Sequence, residues 1–385
     1  MSRRILYVQY ANPACYPPLE HSSRILADAG WEVLFLGTGA FGADSLKMSA
    51  HSRIRIRRMP FCSGGWFQKL HYAVFSCWVW IFVLSWRPHW VLASDRLSCP
   101  AVFPLTFFPR MRILYQEHDP PEFSKTHPPL FAKAMQWARR RVARRAAFCI
   151  VPNQERRRKF SAEMNREEGI FLVWNCPGKK ETGTVRKPIS GRDLTLFYHG
   201  SSVPSRLPLS VLEVLRRFPE SVRIRIFGYS TIGHPNYVDQ IKTAAQEMAL
   251  GDRVRFMGAV PGRQELLQAA CSGDVGLSLM PTHSDHPNEQ AMEGASNKPF
   301  EYLACGLALL VTDLPGWKRM YVDPGYGLAC NPDDLDSLEK AIRWFLDHPV
   351  ETRQMGESGR KRILADWNYE TQFIPVFNRL NGAGK

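Results

Sequence analysis

Two glutamates and a lysine in the last third of the chain are residue types that suit recognition of a sugar phosphate. Glu293 and Glu301 are separated by seven residues, and Lys298 lies between them. A lysine supplies the positive charge that a phosphate or diphosphate needs, whereas carboxylates accept hydrogen bonds from the hydroxyls of a ribose or a sugar. We therefore predict that this stretch, residues 291–313, binds a phosphorylated ligand.

The residues just before Lys298 predict a helix start that faces this ligand. Ser296 and Asn297 stand before Pro299, and together they provide a capping side chain and a residue suited to the first helical turn. The first turn of a helix has backbone N–H groups without partners inside the helix, and these groups bind anions. We therefore place Ser296 and Asn297 with Lys298 in the predicted phosphate site.

The signals that follow this helix start place the motif beside a parallel sheet. Residues 300–305 favour a helix, Gly306 ends it, and residues 307–311 form a short apolar run. An apolar run of this length, bounded by turn signals, is typical of a strand that is covered on both faces. Further strands are predicted at residues 4–10, 31–36, 53–59, 90–93, 112–115, 149–152, 171–174, 194–202, 223–228, 253–258, 274–279 and 325–330.

The pattern that starts at Glu293 resembles that of a known family. E-G-x5-F-E-Y-L-A-C-G followed by an apolar strand is similar to the C-terminal donor-site motif of the retaining glycosyltransferases of family 4, group 1. These enzymes have the GT-B fold. The resemblance therefore implies an α/β protein in which two Rossmann-like, doubly wound parallel-sheet domains face each other across a cleft. It also implies that Glu301 accepts hydrogen bonds from the ribose of a nucleotide-sugar donor and that Glu293 orients the sugar.

On the acceptor side of the cleft, the resemblance rests on His118 and Asp119. They follow the strand predicted at residues 112–115, and ligands bind beyond the carboxyl ends of strands in doubly wound sheets. The resemblance implies that His118 positions the acceptor or the 6-hydroxyl of the transferred sugar, although Gln116 stands where the family has an aspartate. A polar loop before two prolines is the alternative interpretation.

A turn in the second half resembles the one that holds the donor phosphate in this family. Gly200 and Ser201 are small enough to let the backbone approach a phosphate closely. Arg206 then takes the place of the donor-phosphate arginine. The lysine that usually follows about five residues later is replaced by Val211. We expect Lys298 to supply that charge instead.

Two loops complete the comparison with the family. Val260 follows the strand at residues 253–258, in a loop that resembles the one holding the nucleotide base. The first loop of the chain departs from the family, because the usual Gly-Gly pair is absent and Pro13, Pro17 and Pro18 make the loop stiff. The family's glycine-loop contact to the donor phosphate or the acceptor is therefore not carried over to this loop.

Length and composition indicate two domains. A chain of 385 residues that is 45% hydrophobic exceeds one ordinary domain and can fill two cores. We predict two domains at residues 1–180 and 190–366, joined by a polar linker at 179–190. The resemblance implies that the first binds the acceptor and the second binds the donor. A terminal helix at about 367–385 resembles the GT-B helix that crosses back to the first domain.

Positive charge is concentrated in the N-terminal half. Residues 1–190 have a net charge of +16, and residues 191–385 have −2. A basic surface of this kind suits nucleic acid, anionic lipid or a phosphorylated substrate. The nine cysteines have no CxxC or Cys/His ligand spacing, which argues against a zinc site and favours reduced thiols in the cytoplasm. We predict no metal site, no cofactor and no signal peptide.

Residues 70–86 contain no formal charge and are rich in tryptophan. Three interpretations remain open: a helix buried on the first sheet, a helix whose aromatic face lies in the membrane interface, and a transmembrane span. Lys69, Arg87 and the tryptophans favour contact with lipid. The basic helical pattern at residues 133–145 is either a solvated face or one that meets anionic headgroups.

These observations predict a metal-independent retaining glycosyltransferase. The donor would be a UDP- or GDP-linked sugar, and the acceptor a glycan or a polyprenyl- or other lipid-linked molecule of bacterial surface polysaccharide or glycolipid assembly. The enzyme would be cytoplasmic and peripheral on the inner face of the cytoplasmic membrane. The alternatives are an epimerase or phosphorylase on the same fold, and a basic nucleic-acid binding module. The last is disfavoured, because the aromatic residues lie in an apolar block and are not interleaved with basic ones.

Overall fold

The computed structural model describes residues 3–109, 111–120, 130–184, 193–286 and 288–382, so the end of the predicted linker lies outside the described residues. Within these ranges, thirteen strands form two fully parallel sheets. The predicted α/β class with two doubly wound parallel sheets is confirmed. Each sheet is buried on both faces by helices, which explains the continuous apolar runs of its central strands.

The first sheet has seven strands in the order β3-β2-β1-β4-β5-β6-β7. Its strands are β1 (Arg4–Val8), β2 (Glu32–Thr38), β3 (Ile54–Met59), β4 (Trp90–Ser94), β5 (Arg112–Gln116), β6 (Phe148–Val151) and β7 (Ile170–Leu172). The strand order reverses between β1 and β4, and a crevice at such a point is where open α/β sheets bind ligands.

The second sheet has six strands in the order β10-β9-β8-β11-β12-β13, with the reversal between β8 and β11. Its strands are β8 (Leu194–Ser201), β9 (Val222–Tyr229), β10 (Val254–Phe256), β11 (Val275–Ser278), β12 (Ala308–Thr312) and β13 (Gly327–Cys330). β12 is the strand predicted after the helix of the Glu293 motif, and all five of its residues are buried.

Helices connect the strands and cover both sheets. The helices are α1 (Pro17–Asp28), α2 (Trp66–Trp86), α3 (Asp95–Val102), α4 (Leu130–Arg145), α5 (Gln154–Met164), α6 (Ser210–Leu215), α7 (Tyr237–Glu247), α8 (Arg263–Ala270), α9 (Asn297–Ala304), α10 (Pro315–Trp317), α11 (Leu335–Asp347), α12 (Pro349–Ala365) and α13 (Tyr369–Gly382). Short 3-10 helices occur at Pro13–Cys15, Phe103–Phe107, Lys179–Glu181 and Gly251–Arg253, and a π-helical turn at Lys318–Val322.

The apolar segment around residues 70–86 forms α2, which packs against the first sheet with one face only. Phe75, Val79 and Val83 are buried in the core under this helix. On the opposite face, each of six large apolar residues is at least half exposed: Trp66, Phe67, Leu70, Val74, Ile81 and Leu84. Among the described helices, α2 is the one that is long and apolar enough to cross a membrane, judged by length and composition alone.

The last helix of the chain completes the core of the first domain. Tyr369, Phe373, Val376 and Leu380 of α13 are buried in one cluster with side chains of β1 and β2, and α13 packs on α1. α12, which precedes it, packs instead on α9 and β12 of the second domain. The chain therefore returns to the first domain between these two helices.

This packing predicts that Phe373→Ala destabilises the first domain although residue 373 follows the second domain in sequence. Phe373 is 2% exposed, and the cavity left by removing its ring costs about 3–5 kcal/mol of unfolding free energy. In the Phe373→Ala variant, the backbone amides of β1 and β2 should exchange hydrogen faster. The control Ile374→Ala, at a side chain that is 52% exposed, should leave their exchange rates unchanged. Faster exchange confined to the second sheet would contradict this packing.

Candidate active site

The carboxyl ends of the two sheets open onto one cleft between the domains. Tyr16 lines it on the side of the first domain, and the end of β8 and the start of α9 line it on the side of the second. The cleft contains a cavity of about 290 Å³. Ten of the predicted site residues line this cavity: His118, Asp119, Gly200, Ser201, Arg206, Val260, Ser296, Asn297, Lys298 and Glu301.

Lys298 lies over the turn at Gly200. Gly200 has a φ of 101°, and a side chain there would lie 3.3 Å from Cε and 3.5 Å from Nζ of Lys298. Burial, and then the charge of Arg206, lower the pKa of Lys298 to about 7, against the opposing effect of Glu301. Two cationic side chains therefore converge where the backbone is open, which is an arrangement that binds a diphosphate.

The carboxylate of Glu301 is held from two sides. One oxygen lies 2.5 Å from Nη1 of Arg263, and the other lies 3.0 Å from Nε2 of His199. Burial raises the pKa of Glu301, but the charges of Arg263 and then His199 outweigh it and bring the pKa to about 2. The group is therefore ionised at physiological pH, and it keeps acceptor capacity for the hydroxyls of a ligand.

The start of α9 presents polar groups to the same cavity. Ser296 is the N-cap in an extended conformation, and Gly306, at a φ of 72°, follows the end of the helix. The side chain of Ser296 does not cap the helix, and within the described ranges the buried Oδ1 of Asn297 has no hydrogen-bond partner. Both residues can therefore bind a ligand in the cavity.

His118 faces these groups from the first domain as a neutral imidazole. Burial, and then the charge of Arg156, lower the pKa of His118 to about 3. Its backbone N–H donates to Oδ1 of Asp95 at 2.7 Å, whereas its Nε2 is buried without a partner among the described residues. Asp119 beside it is more exposed, with its carboxylate 3.7 Å from Nη1 of Arg156. A neutral ring with an uncommitted nitrogen can hydrogen-bond a sugar hydroxyl without adding charge.

Glu293 is the one predicted site residue that does not line this cavity. Its carboxylate lies against the backbone of Gly316, where an added Cβ would be 1.2 Å from Oε1. It lines a separate depression with His283 and Asp285. The structure thus separates the two glutamates of the motif, because α9 begins between them. The segment that precedes α9 and contains Glu293 turns toward β12.

The loop before α9, residues 291–295, is held by first-domain residues that the sequence analysis missed. Nε of Arg156 and Nδ2 of Asn153 donate to the carbonyl oxygen of Ala291 at 3.0 and 2.9 Å. Nδ2 of Asn175 donates to the same loop at 2.6 Å. Arg156 also bonds the carbonyl of the acceptor-side histidine, so it connects the two halves of the site. In the sequence, Arg156 is the first of three consecutive arginines, and no motif or spacing distinguishes it as a residue of the site.

Arg263 and His199 are two further residues of the cavity without a sequence signal. Arg263 begins α8, and His199 lies in β8, where its backbone N–H donates to the hydroxyl of Tyr302 at 3.2 Å. The sequence predicts that their partner, Glu301, accepts hydrogen bonds from the ribose of the donor, and it does not predict the contacts of Glu301 with Arg263 and His199. Only the fold brings the three side chains together, because they come from three separate elements.

Comparisons with known proteins find relatives of this chain among glycosyltransferases. A family model described as glycosyl transferase-like matches residues 208–374. The chain is 24% identical over 309 residues to a glycogen synthase of Mycobacterium tuberculosis, covering 74% of this chain and 67% of that one. It is 22% identical over 227 residues to the lipopolysaccharide core biosynthesis mannosyltransferase LpcC of Rhizobium leguminosarum, covering 56% of this chain and 59% of that one.

Over a shorter stretch of 139 residues, the chain is 24% identical to a GDP-mannose-dependent monoacylated phosphatidylinositol monomannoside mannosyltransferase of Corynebacterium glutamicum. It covers 36% of this chain and 35% of that one. Among solved structures, a sucrose-phosphate synthase of Thermosynechococcus elongatus superposes with a TM-score of 0.71 at 16% identity, covering 99% and 100% of the two chains. HepE of Anabaena, solved with UDP and glucose, gives 0.71 at 14% identity with the same coverage.

The chain has the GT-B fold, and its residues 208–374 match a glycosyl transferase-like family. The predicted family and fold are confirmed, and so is glycosyl transfer as the class of reaction. The positive charge in the cleft of this glycosyltransferase thus lies where a donor phosphate is expected.

The pKa of Lys298 predicts that this glycosyltransferase binds its donor more weakly as the pH rises. Without ligand, Lys298 loses its proton as the pH passes about 7. A bound diphosphate stabilises the protonated form, so above pH 7 binding takes up a proton and the affinity falls by up to about tenfold per pH unit. Calorimetry of a nucleotide sugar between pH 6 and 9, in buffers of different ionisation enthalpy, measures both effects.

Lys298→Arg provides the control, because a guanidinium remains charged throughout this range. The variant should bind the donor without the decline in affinity and without uptake of a proton. An affinity of the natural protein that stays constant from pH 6 to 9 would contradict the assignment.

Proposed function

We propose that this glycosyltransferase moves a sugar, with retention of anomeric configuration, from a UDP- or GDP-linked donor to a glycan or a lipid-linked acceptor. Its place would be the assembly of a bacterial surface polysaccharide or glycolipid. The observation that carries this proposal is the convergence of Lys298, Arg206 and the Gly200 turn in one cavity with a neutral His118 opposite.

The leaving group of such a reaction is a nucleoside diphosphate, whose oxygens gain negative charge as the glycosidic bond breaks. Preorganised cations and N–H groups stabilise this charge in a site of low dielectric. Lys298, Arg206 and the backbone at Gly200 and Ser201 supply them. Among the described residues, no three His, Cys, Asp or Glu side chains are grouped as a metal site. We therefore propose that these cations, without a bound metal, support departure of the diphosphate.

The rest of the donor would extend along the second domain. Glu301, held in its ionised form, would accept hydrogen bonds from the ribose. The backbone around Val260 would contact the base. The transferred sugar would then point toward His118, whose uncommitted Nε2 would bond one of its hydroxyls, with Asp119 on the acceptor side. For Glu293 to orient the sugar as predicted, donor binding must draw its carboxylate away from Gly316.

A panel of nucleotide sugars tests the donor site. UDP-glucose and GDP-mannose are suitable first members, and thermal shift or calorimetry detects binding. Lys298→Ala and Glu301→Gln should each lower the affinity for the donor by roughly tenfold or more, because each variant loses a charge-assisted hydrogen bond. Arg353→Gln is a matched control, since it breaks the ion pair with Asp274 at the opposite end of β11.

Failure of the natural protein to bind any member of the panel would remove the proposal. Donor consumption without an acceptor, giving an epimerised sugar or a sugar phosphate in the presence of free phosphate, would favour the epimerase or phosphorylase alternative. Retention is read from the anomeric configuration of the product by NMR.

We propose further that the enzyme is cytoplasmic and docks peripherally on the inner face of the cytoplasmic membrane. The first domain exposes further apolar side chains, Phe107, Phe108, Leu130 and Trp137. Phe108 lines one cavity with Leu84 of the exposed face of α2. Cations lie among these rings, with Lys69 5.9 Å from the ring of Trp66 and Arg145 4.3 Å from that of Phe107. Apolar anchors mixed with cations suit the interface of an anionic bilayer.

The basic helix α4 contributes less charge to this surface than its sequence suggests. Arg139 is 1% exposed, and its guanidinium bonds the carboxylates of Glu117 and Glu163. Arg140 and Arg141 remain on the outer side. The pattern at residues 133–145 is therefore partly a core pattern, because a buried arginine paired with carboxylates cannot be told from an exposed one by periodicity.

Sedimentation with vesicles tests membrane docking. The natural protein should sediment with vesicles that contain anionic lipid at low salt, and less at high salt. Phe67→Glu, at a side chain that is 77% exposed, should reduce binding severalfold, whereas Ile232→Glu, exposed on the second domain, should not. If the natural protein stays in the supernatant at low salt, the docking proposal is wrong and the donor proposal is unaffected.

A further inference from the structure

We propose that Arg263 is a positioning residue that fixes Glu301 for the donor. Donor affinity would then depend on the contacts of the short helix Lys179–Glu181, which lies between the two domains. This inference rests on the proposed donor role of Glu301. Arg263 does not itself resemble any family motif in the sequence. What points to it is a continuous series of ionic contacts that starts in the donor cavity and ends in the first domain.

The guanidinium of Arg263 has all three of its nitrogens bonded to carboxylates. Nη1 donates to Oε1 of Glu301 at 2.5 Å. Nε and Nη2 donate to the two oxygens of Glu181 at 2.5 and 3.1 Å, a bidentate pair. Such a two-point contact fixes the plane of the guanidinium, and hence the direction from which Nη1 reaches Glu301.

Glu181 belongs to neither sheet and is itself tied to the first domain. It ends the short helix Lys179–Glu181, which lies between β7 and the second sheet. Its Oε2 accepts from the backbone N–H of Gly178 and from Nε2 of His21, both at 2.8 Å. His21 lies on α1 and is buried. The contacts therefore run from α1 through Glu181 and Arg263 to Glu301.

Both carboxylates in this series are held ionised. Burial raises the pKa of Glu181, but Arg263 and then His21 bring it well below its usual value. Removing one partner from a set of buried charges leaves the others uncompensated, so the neighbours must move or rearrange. A change at Glu181 should therefore alter the position of Arg263 and, through it, that of Glu301.

The two ends of the series lie in different cavities. Arg263 and Glu301 line the donor cavity. Glu181 and His21 line another cavity between α1, α8 and the start of α13. Glu181 thus has no place in the donor cavity, and its effect on donor binding must pass through Arg263. This separation allows positioning to be distinguished from direct contact.

The sign of the effect of Glu181→Gln separates positioning from simple electrostatics. Replacing a carboxylate by an amide makes the region more positive, which alone would strengthen binding of an anionic nucleotide sugar. If Arg263 positions Glu301, the loss of its bidentate partner should weaken binding instead. We expect the dissociation constant of UDP-glucose or GDP-mannose, whichever the natural protein binds, to rise by about threefold to thirtyfold, which lies within the range of coupling between contacting residues.

A double-mutant cycle shows whether the effect passes through Arg263. In the Arg263→Gln background, adding Glu181→Gln should change donor affinity by less than about twofold, because the connection is already broken. His21→Gln removes the contact of His21 with Glu181 without removing a carboxylate. Like Glu181→Gln it should weaken donor binding, and the effects of the two variants should not add. Arg353→Gln, which breaks a comparably buried ion pair of the second domain, should lower thermal stability without changing donor affinity.

Unchanged or tighter donor binding in both Glu181→Gln and His21→Gln would overturn the inference, as would effects that add fully in the cycle. Folding is checked by circular dichroism. If Glu181→Gln fails to fold, the His21→Gln measurement and its cycle with Arg263→Lys decide the question. Absence of binding by the natural protein would refute the proposed function itself, whereas normal binding with insensitive variants refutes only this inference.

Discussion

The site depends on keeping two cations, Lys298 and Arg206, together in one partly buried cleft. Burial, and then repulsion by Arg206, disfavour the charge of Lys298, which is why the pKa of Lys298 is lowered to about 7. A diphosphate relieves both penalties at once, because it pairs with both cations and replaces the water they lose. Under the proposed function, the unfavourable electrostatics of the site therefore favour a dianionic group, which is the leaving group of a nucleotide sugar.

The geometry of this cleft is maintained by contacts that cross between the domains. The loop before α9 is fixed by Asn153, Arg156 and Asn175 of the first domain, and α13 of the C-terminal region fills the core under β1 and β2. Each of these contacts satisfies buried polar groups or covers apolar surface, so each is costly to break. Helix α9, which we propose to bind the donor, is thus positioned by both domains, although its residues all belong to the second.

Sequence reasoning succeeded where a local pattern determines a local structure. Apolar runs between turn signals gave the strands of both sheets, and the Ser-Asn-Lys-Pro sequence gave the start of α9 within a residue. The residues it missed are those whose role depends on long-range partners. Arg156 and Arg263 look like any other arginine in the chain, because what distinguishes them is burial between carbonyls or carboxylates contributed by distant segments. Glu293 illustrates the converse, since a correct spacing does not determine where a loop carboxylate points.

The most direct test of this account is a crystal structure of the protein with a bound nucleotide sugar. The account predicts that the diphosphate lies within hydrogen-bond distance of Nζ of Lys298 and of the backbone at Gly200, with the ribose on the carboxylate of Glu301. A diphosphate bound elsewhere, with Lys298 and Arg206 left in solvent, would contradict it.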